Sequence, residues 1–136
     1  AANLIREACA EHNDVTVFTG GPLHNLGDEL EMGASVSRWV AQGGFCGEGV
    51  VPDGAPMPSK FEGRTHVSTW NFGGALAATE LALRTERIGR RVLVCKNVCH
   101  RCHFNEAFDS SLRARIAEMP NSQHEVALEW ALRALS

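Results

Sequence analysis

The sequence predicts an α/β fold: a parallel sheet with helices on both faces, in a three-layer, Rossmann-like arrangement. Three short apolar runs show almost no alternation of apolar and polar residues, which is typical of strands buried on both faces of a parallel sheet. These runs are residues 15–18, 36–42 and 92–95. They alternate with segments whose apolar residues lie three to four apart, the spacing of a helix with one buried face.

The first predicted helix spans residues 3–11, and the second runs from Pro22, which suits a first helical turn, to a stop at Gly33. Further helices are predicted at 75–83, 106–116 and 124–135. The charged residues between 84 and 91 are interpreted as a solvated helix end and turn. A Gly- and Pro-rich stretch from Gly43 to Gly63 has no sustained period, and we expect it to be a binding loop.

Composition excludes some classes of function. The 136 residues are 44% hydrophobic and 21% charged, as expected for a single globular domain spanning 1–136. The net charge of -3, with scattered basic residues, argues against nucleic-acid polymers as partners. No apolar run approaches the roughly 20 residues that span a bilayer, so no membrane association is expected.

Localisation is predicted from the cysteines and from the first residues. Five cysteines are an odd number at irregular spacing, which favours a reducing compartment. The first six residues lack the charged start and apolar middle of a signal peptide. We therefore expect an intracellular protein, cytoplasmic or organellar.

Polar side chains are predicted to meet at the carboxyl edge of the sheet. Gln42 ends the second strand, Asn97 follows the third, and Asn71 precedes a helix. Their amides both donate and accept hydrogen bonds, which suits the hydroxyls of a sugar, although each could equally be an ordinary turn or cap residue. Trp70, beside Asn71, could stack on a base. After the first strand, the turn containing Gly20 could hold an ion through backbone groups or could be structural.

Four motifs carry a family resemblance. They are Gly-Pro-Leu-x-Asn (21–25) after a buried strand, x-Gly-Gly (42–44) ending the next, an aromatic-Asn pair (70–71) before an Ala-rich helix, and Asn-Val-x-His (97–100). In this order they resemble the inosine-uridine-type nucleoside hydrolases. The stretches 42–47 and 96–100 look most like a divergent branch found in eukaryotes. The resemblance runs from about residue 15 to residue 100.

The resemblance implies hydrolysis of the N-glycosidic bond of a ribonucleoside by a water that calcium activates. Such chemistry needs a carboxylate near an oxocarbenium-like transition state. By position, the backbone carbonyl of Gly20 would contact calcium, Asn71 and Asn97 would bind the ribose, and Gln42 would lie beside the sugar. Thr69 is a further candidate for contact with the sugar. It stands where most members of the family have Glu, so this position departs from the family's pattern.

The family's acidic motif is missing from the sequence. The four aspartates, Asp14, Asp28, Asp53 and Asp109, lie far apart, and none fits the family's calcium or base positions. We therefore expect an incomplete nucleoside hydrolase fold without the N-terminal Asp-rich strand and the C-terminal part. No catalytic residue is assigned, and the chain alone is expected to bind no calcium. The expected partner is a ribonucleoside, within a homo-oligomer, a longer protein or a complex.

Two other hypotheses remain open. The first is a catalytically inactive homologue that acts as a structural subunit of a larger assembly. The second is a small metal-binding module, because Cys99-His100-Arg101-Cys102-His103 fits the Cys-x-x-Cys-His pattern of haem attachment and, with Cys95, could form a zinc site. We expect Cys99, Cys102 and His103 to lie too far apart to share one ion.

Overall fold

The computed structural model describes residues 3–47, 50–51, 53–103 and 105–118. The chain forms two compact units, Ala1–Arg101 and Cys102–Ser136. The second unit contains helix α6 (Glu106–Glu118), which carries ion pairs between Arg113 and Asp109 and between Arg115 and Glu118. The helix predicted at 124–135 lies outside the described residues.

The first unit contains a parallel sheet and short helices. Its elements, in chain order, are α1 (Leu4–Glu11), β1 (Thr16–Thr19), α2 (His24–Glu31), β2 (Val36–Gln42), a 3₁₀ turn (Ser59–Phe61), α3 (Trp70–Gly73), α4 (Leu76–Arg84), β3 (Ile88–Val94) and α5 (Lys96–Cys99). Gly33 ends the turn after α2 at a φ of 97°, in the left-handed region that glycine adopts without strain. The N–H of Ala34 then donates to the carbonyl of Glu29, and the N–H of Gly33 donates to the carbonyl of Leu30, as in a Schellman motif.

The three strands pair in the order β1-β2-β3, and both pairings are parallel. Val17 pairs with Trp39, and Trp39 pairs with Arg91, so the strands are in register across the sheet. The prediction of three parallel neighbours in one sheet is confirmed. Because α2 and α4 connect successive parallel strands, all three strands end at the same edge.

The hydrophobic core lies against the face of the sheet that carries Trp39 and Ala41, and both are fully buried. The indole N–H of Trp39 donates to the hydroxyl of Thr19 at 2.9 Å, and its ring centroid lies 6.1 Å from that of Phe72. Leu26 and Leu30 from α2, and Leu23 at its N-cap, pack here with Ala82 from α4. The apolar side chains of α2 and α4 are therefore buried against the same face of the sheet.

The other face of the sheet differs from the expectation. The strands were predicted to be buried on both faces, but Phe18 is 69% exposed, and its in-register neighbours Val40 and Val92 are only half-buried. Within the first unit, β1 and β3 are the edges of the sheet, and β1 has no fully buried residue. Apolar runs without alternation thus identified the strands but not their burial. The three-layer arrangement stays a prediction.

Strand β3 begins at Ile88, four residues before its predicted start at residue 92. The segment interpreted as a solvated turn includes Arg91, whose guanidinium is half-buried. It donates to the carbonyls of Ala82 and Ile88, each at 2.9 Å, and to that of Thr85. Carbonyls at a helix C-terminus lack intrahelical donors, and a cation there also interacts favourably with the helix dipole. Arg91 in strand β3 therefore caps the C-terminal end of α4.

No helix in the described part of the chain is long and apolar enough to cross a membrane.

Candidate functional site

The carboxyl ends of the strands bring the predicted polar residues to one edge of the sheet. Gln42 is in register with Val94, and Ala41 with Thr19. Gly20 and Cys95 therefore leave the sheet at the level of Gln42. The backbone pairing continues one step beyond the strands, since the N–H of Gly43 donates to the carbonyl of Val94 at 3.1 Å.

Gln42 and Asn71 are in direct contact, although 29 residues separate them in sequence. The amide nitrogen of Asn71 donates to the backbone carbonyl of Gln42 at 2.7 Å and also to its side-chain carbonyl. The amide nitrogen of Gln42 in turn contacts the Cys99 sulfur at 3.2 Å. A chain of polar contacts therefore links the end of β2 to α3 and to α5.

Gly43, which follows Gln42, and Phe72, which follows Asn71, make this contact possible. A Cβ at Gly43 would lie 2.4 Å from Phe72 Cε1, so only glycine lets the Phe72 ring lie against the end of β2. Phe72 packs on Trp39 in the core and anchors the short helix α3. The local sequence thus fixes α3 above the strand end, with Asn71 only 7% exposed.

Asn97 also lies at this edge, but its hydrogen bonds hold a loop. Its side-chain carbonyl accepts from the N–H of Cys46 at 3.0 Å, and its amide nitrogen donates to the Cys46 carbonyl at 2.9 Å and to the Met57 sulfur. The side chain is 8% exposed. Both asparagines thus lie at the carboxyl edge, with their amides occupied by contacts within the chain, and their predicted contacts with a sugar stay predictions.

Trp70 and Thr69 precede Asn71 on the rim of this edge. Trp70 is 82% exposed, whereas Trp39 is fully buried. Thr69 is half-buried and makes no side-chain cap hydrogen bond to α3. An exposed indole beside a buried polar pair offers a flat apolar surface for stacking.

Gly20 lies in a shallow depression of about 290 Å³, lined mainly by apolar side chains of α1, β1 and the start of α2. None of the described residues that line it is acidic. Among residues the structure describes, no three His, Cys, Asp or Glu side chains are grouped to hold a metal ion. Calcium takes six to eight oxygen ligands, usually with carboxylates among them. These residues alone therefore do not fit calcium.

A larger depression, of about 340 Å³, lies at the opposite edge, around Ser35, Ser37, Arg87 and Gly89. These residues come just before or at the start of β2 and β3. Ligands of open α/β sheets bind beyond the carboxyl ends of the strands. We therefore assign the candidate site to the carboxyl edge, where the polar contacts converge, and not to this depression.

Glu29 is a fully buried acidic residue, and it lies away from the candidate site in the last turn of α2. One carboxylate oxygen accepts from the N–H of Asn3, and the other has no hydrogen-bond partner within the described residues. This contact ties the start of α1 to α2. The buried carboxylate is thus part of the helix packing and not of the carboxyl edge.

Cysteines at the carboxyl edge are thiols in structural contacts. Burial raises the pKa of Cys46, and its hydrogen bond with Cys95 raises it further. A raised pKa keeps a thiol protonated and poorly nucleophilic. Cys95 is buried, and Cys99 is held by its contact with Gln42. These thiols therefore behave as packing residues.

A group of basic side chains that was not predicted from the sequence adjoins the polar contacts. The Lys60 ammonium lies 2.6 Å from Nδ1 of His100, and the Lys96 ammonium donates to the carbonyl of Ser68 at 2.7 Å. Desolvation of the ring, followed by the charges of Lys60 and Lys96, lowers the pKa of His100. Lys60, Lys96 and His100 are called the basic cluster below. One feature of the sequence could have drawn attention to this cluster: Lys60 and Lys96 are the two lysines of the chain.

Lys60→Gln is expected to raise the pKa of His100 toward the ordinary value for histidine, because a neighbouring positive charge disfavours the protonated imidazole. The measurement is an NMR pH titration of the His100 ring. Arg84→Gln removes the same charge at the exposed end of α4 and should leave the titration unchanged. An unaltered His100 titration in Lys60→Gln would contradict the proximity of the two groups.

Comparisons with family models, with curated proteins and with solved structures find no match to this chain.

Proposed function

We propose that the chain is the central part of a nucleoside hydrolase-like domain, which in the complete protein hydrolyses the N-glycosidic bond of ribonucleosides. One observation carries the proposal: Gln42 and Asn71, which come from separate motifs of the family resemblance, are in hydrogen-bond contact at the carboxyl edge. Asn97 and Gly20 leave the same edge. Ligand sites of parallel α/β folds lie there.

The proposed division of roles follows the chemistry of each group. Gln42 and Asn71 form a polar floor for the ribose hydroxyls, because their amides can exchange an internal hydrogen bond for one to a ligand. The exposed indole of Trp70 stacks on the base. Asn97 acts here by holding the loop at Cys46. The three-layer, Rossmann-like completion of the fold belongs to the same proposal.

A second candidate function is that of a catalytically inactive homologue acting as a structural subunit. The burial of Asn71 and Asn97, with their amides engaged inside the chain, favours it. In that case the polar edge stabilises the loop between β2 and α3 and binds no sugar. Titration with a nucleoside separates the two candidates.

The isolated chain is expected to release no base from inosine or uridine, with or without added calcium. N-glycosidic hydrolysis needs a carboxylate at the reacting carbon, and the described carboxyl edge has none in contact with Gln42 or Asn71. The measurement is free base by chromatography after prolonged incubation. Turnover that survives repurification and disappears in Asn71→Ala would contradict this expectation.

Nucleoside binding without turnover is the direct test of the proposed site. Trp70 fluorescence should change saturably with inosine in the wild-type chain, and Asn71→Ala should weaken the binding about tenfold, the loss of one to two hydrogen bonds. Trp70→Phe removes the reporter and separates its signal from those of the other two tryptophans, Trp39 and Trp130. Absence of any saturable response would favour the structural subunit.

A further inference from the structure

The basic cluster brings together residues from distant parts of the chain. Lys60 and His100 are 40 residues apart in sequence, and Lys96, the first residue of α5, lies four residues before His100, which caps that helix. The chain has only two lysines, and both are here. On a chain with a net charge of -3, this concentration of positive charge is distinctive.

The described residues offer these cations no acidic partner. Ion pairs in the described part of the chain join arginines to acids on α4 and α6, and none includes Lys60 or Lys96. Glu62, which lies close to Lys60 in sequence, is exposed and pairs with neither lysine. The charges of Lys60 and Lys96 both act on His100, and positive charges near one group are unfavourable unless an anion offsets them. No acidic side chain among the described residues thus balances the positive charge of the cluster.

Its geometry is held by packing and hydrogen bonds. Phe61 is 6% exposed, and its ring meets the His100 ring edge-on at 5.3 Å between centroids. The Lys60 ammonium lies 5.3 Å from the centre of the same Phe61 ring. The carbonyl of Ser68 holds Lys96. These contacts position the side chains before a ligand binds, which lowers the cost of ordering them on binding.

We propose that the basic cluster binds the phosphate group of a small phosphate monoester. A neutral His100 that accepts from Lys60 at Nδ1 carries its proton on Nε2, so the cluster offers two ammonium groups and one imidazole N–H. A phosphate dianion has three terminal oxygens that accept strong charge-assisted hydrogen bonds, and a carboxylate has two and half the charge. This proposal goes beyond the proposed nucleoside site and does not depend on it.

The test uses inorganic phosphate and ribose 5-phosphate as probes at constant ionic strength, with the His100 ring followed by NMR. Both should bind saturably and raise the pKa of His100, because the bound dianion favours the imidazolium. Lys60→Gln and Lys96→Gln should each weaken phosphate binding about tenfold, the loss of one charge-assisted contact. Arg84→Gln makes the same change in net charge away from the cluster and should bind phosphate as the wild type does.

Equal weakening in all three variants would show that net charge alone attracts phosphate, and it would overturn the proposal. Binding that survives intact in both lysine variants, with unchanged thermal unfolding, would also overturn it. If ribose 5-phosphate binds no more tightly than inorganic phosphate, the phosphate site stands and the adjoining ribose site fails. Tight binding of unphosphorylated inosine without any phosphate binding would reject the basic cluster alone.

Discussion

Trp39→Ala is expected to lower the free energy of unfolding by about 3–5 kcal/mol, the usual cost of truncating a large buried aromatic residue. Trp39 is fully buried on the central strand, packs against Phe72 and donates to Thr19. Its removal leaves a cavity between the sheet and α2 and deprives the Thr19 hydroxyl of its partner. The measurement is urea-induced unfolding of the first unit, followed by circular dichroism.

The matched control is Trp70→Ala, which makes the same chemical change at a residue that is 82% exposed. Its effect on the free energy of unfolding should stay within about 0.5 kcal/mol, as for most exposed sites. Similar destabilisation by both substitutions would contradict the assignment of Trp39 to the core and of Trp70 to the rim.

Gly27→Ala is expected to cost about 1–3 kcal/mol, the range for overpacking a close contact. A Cβ at Gly27 would lie 2.5 Å from the Cβ and 3.1 Å from the Cα of Ala78, where α2 crosses α4. These atoms belong to the helix backbone and its first side-chain carbon, so neither can turn aside. The clash outweighs the roughly 1 kcal/mol by which alanine favours a helix over glycine.

A double-mutant cycle tests the cause of that loss. Ala78→Gly removes the opposing methyl group. The free energy of unfolding lost through Gly27→Ala should therefore be at most half as large when it is measured in the Ala78→Gly variant. Gly73→Ala is the control, because a Cβ there meets nothing within 4 Å. Additive losses in the double variant would show that α2 and α4 do not approach at this point.

Three strands, their parallel pairing and the end of α2 could be predicted from the sequence, whereas the start of β3 could not. Val36 to Gln42 and its two neighbours were identified because short segments without regular alternation, between helical periods, leave few other pairings. The stop was predicted from the glycine at position 33, and in the structure Gly33 adopts a φ of 97°. The common edge of Gln42, Asn71 and Asn97 also followed from topology, since parallel strands with helical crossovers end on one side. The family resemblance and the function it implies stay predictions.

Which side chains are in contact depends on the tertiary structure and cannot be predicted from local sequence patterns. Only packing brings Lys60 to His100 across 40 residues that include α3, α4 and β3, and the Phe61 ring contacts the His100 ring beside them. Arg91 of β3 donates to the carbonyls of Ala82 and Thr85 at the end of α4, a contact that the sequence did not predict. Asn71 donates to Gln42 because Gly43 leaves room for the Phe72 ring beneath α3. Periodicity records the neighbours of a residue along the chain, whereas each of these contacts is set by shape and hydrogen bonding between segments that meet only after folding.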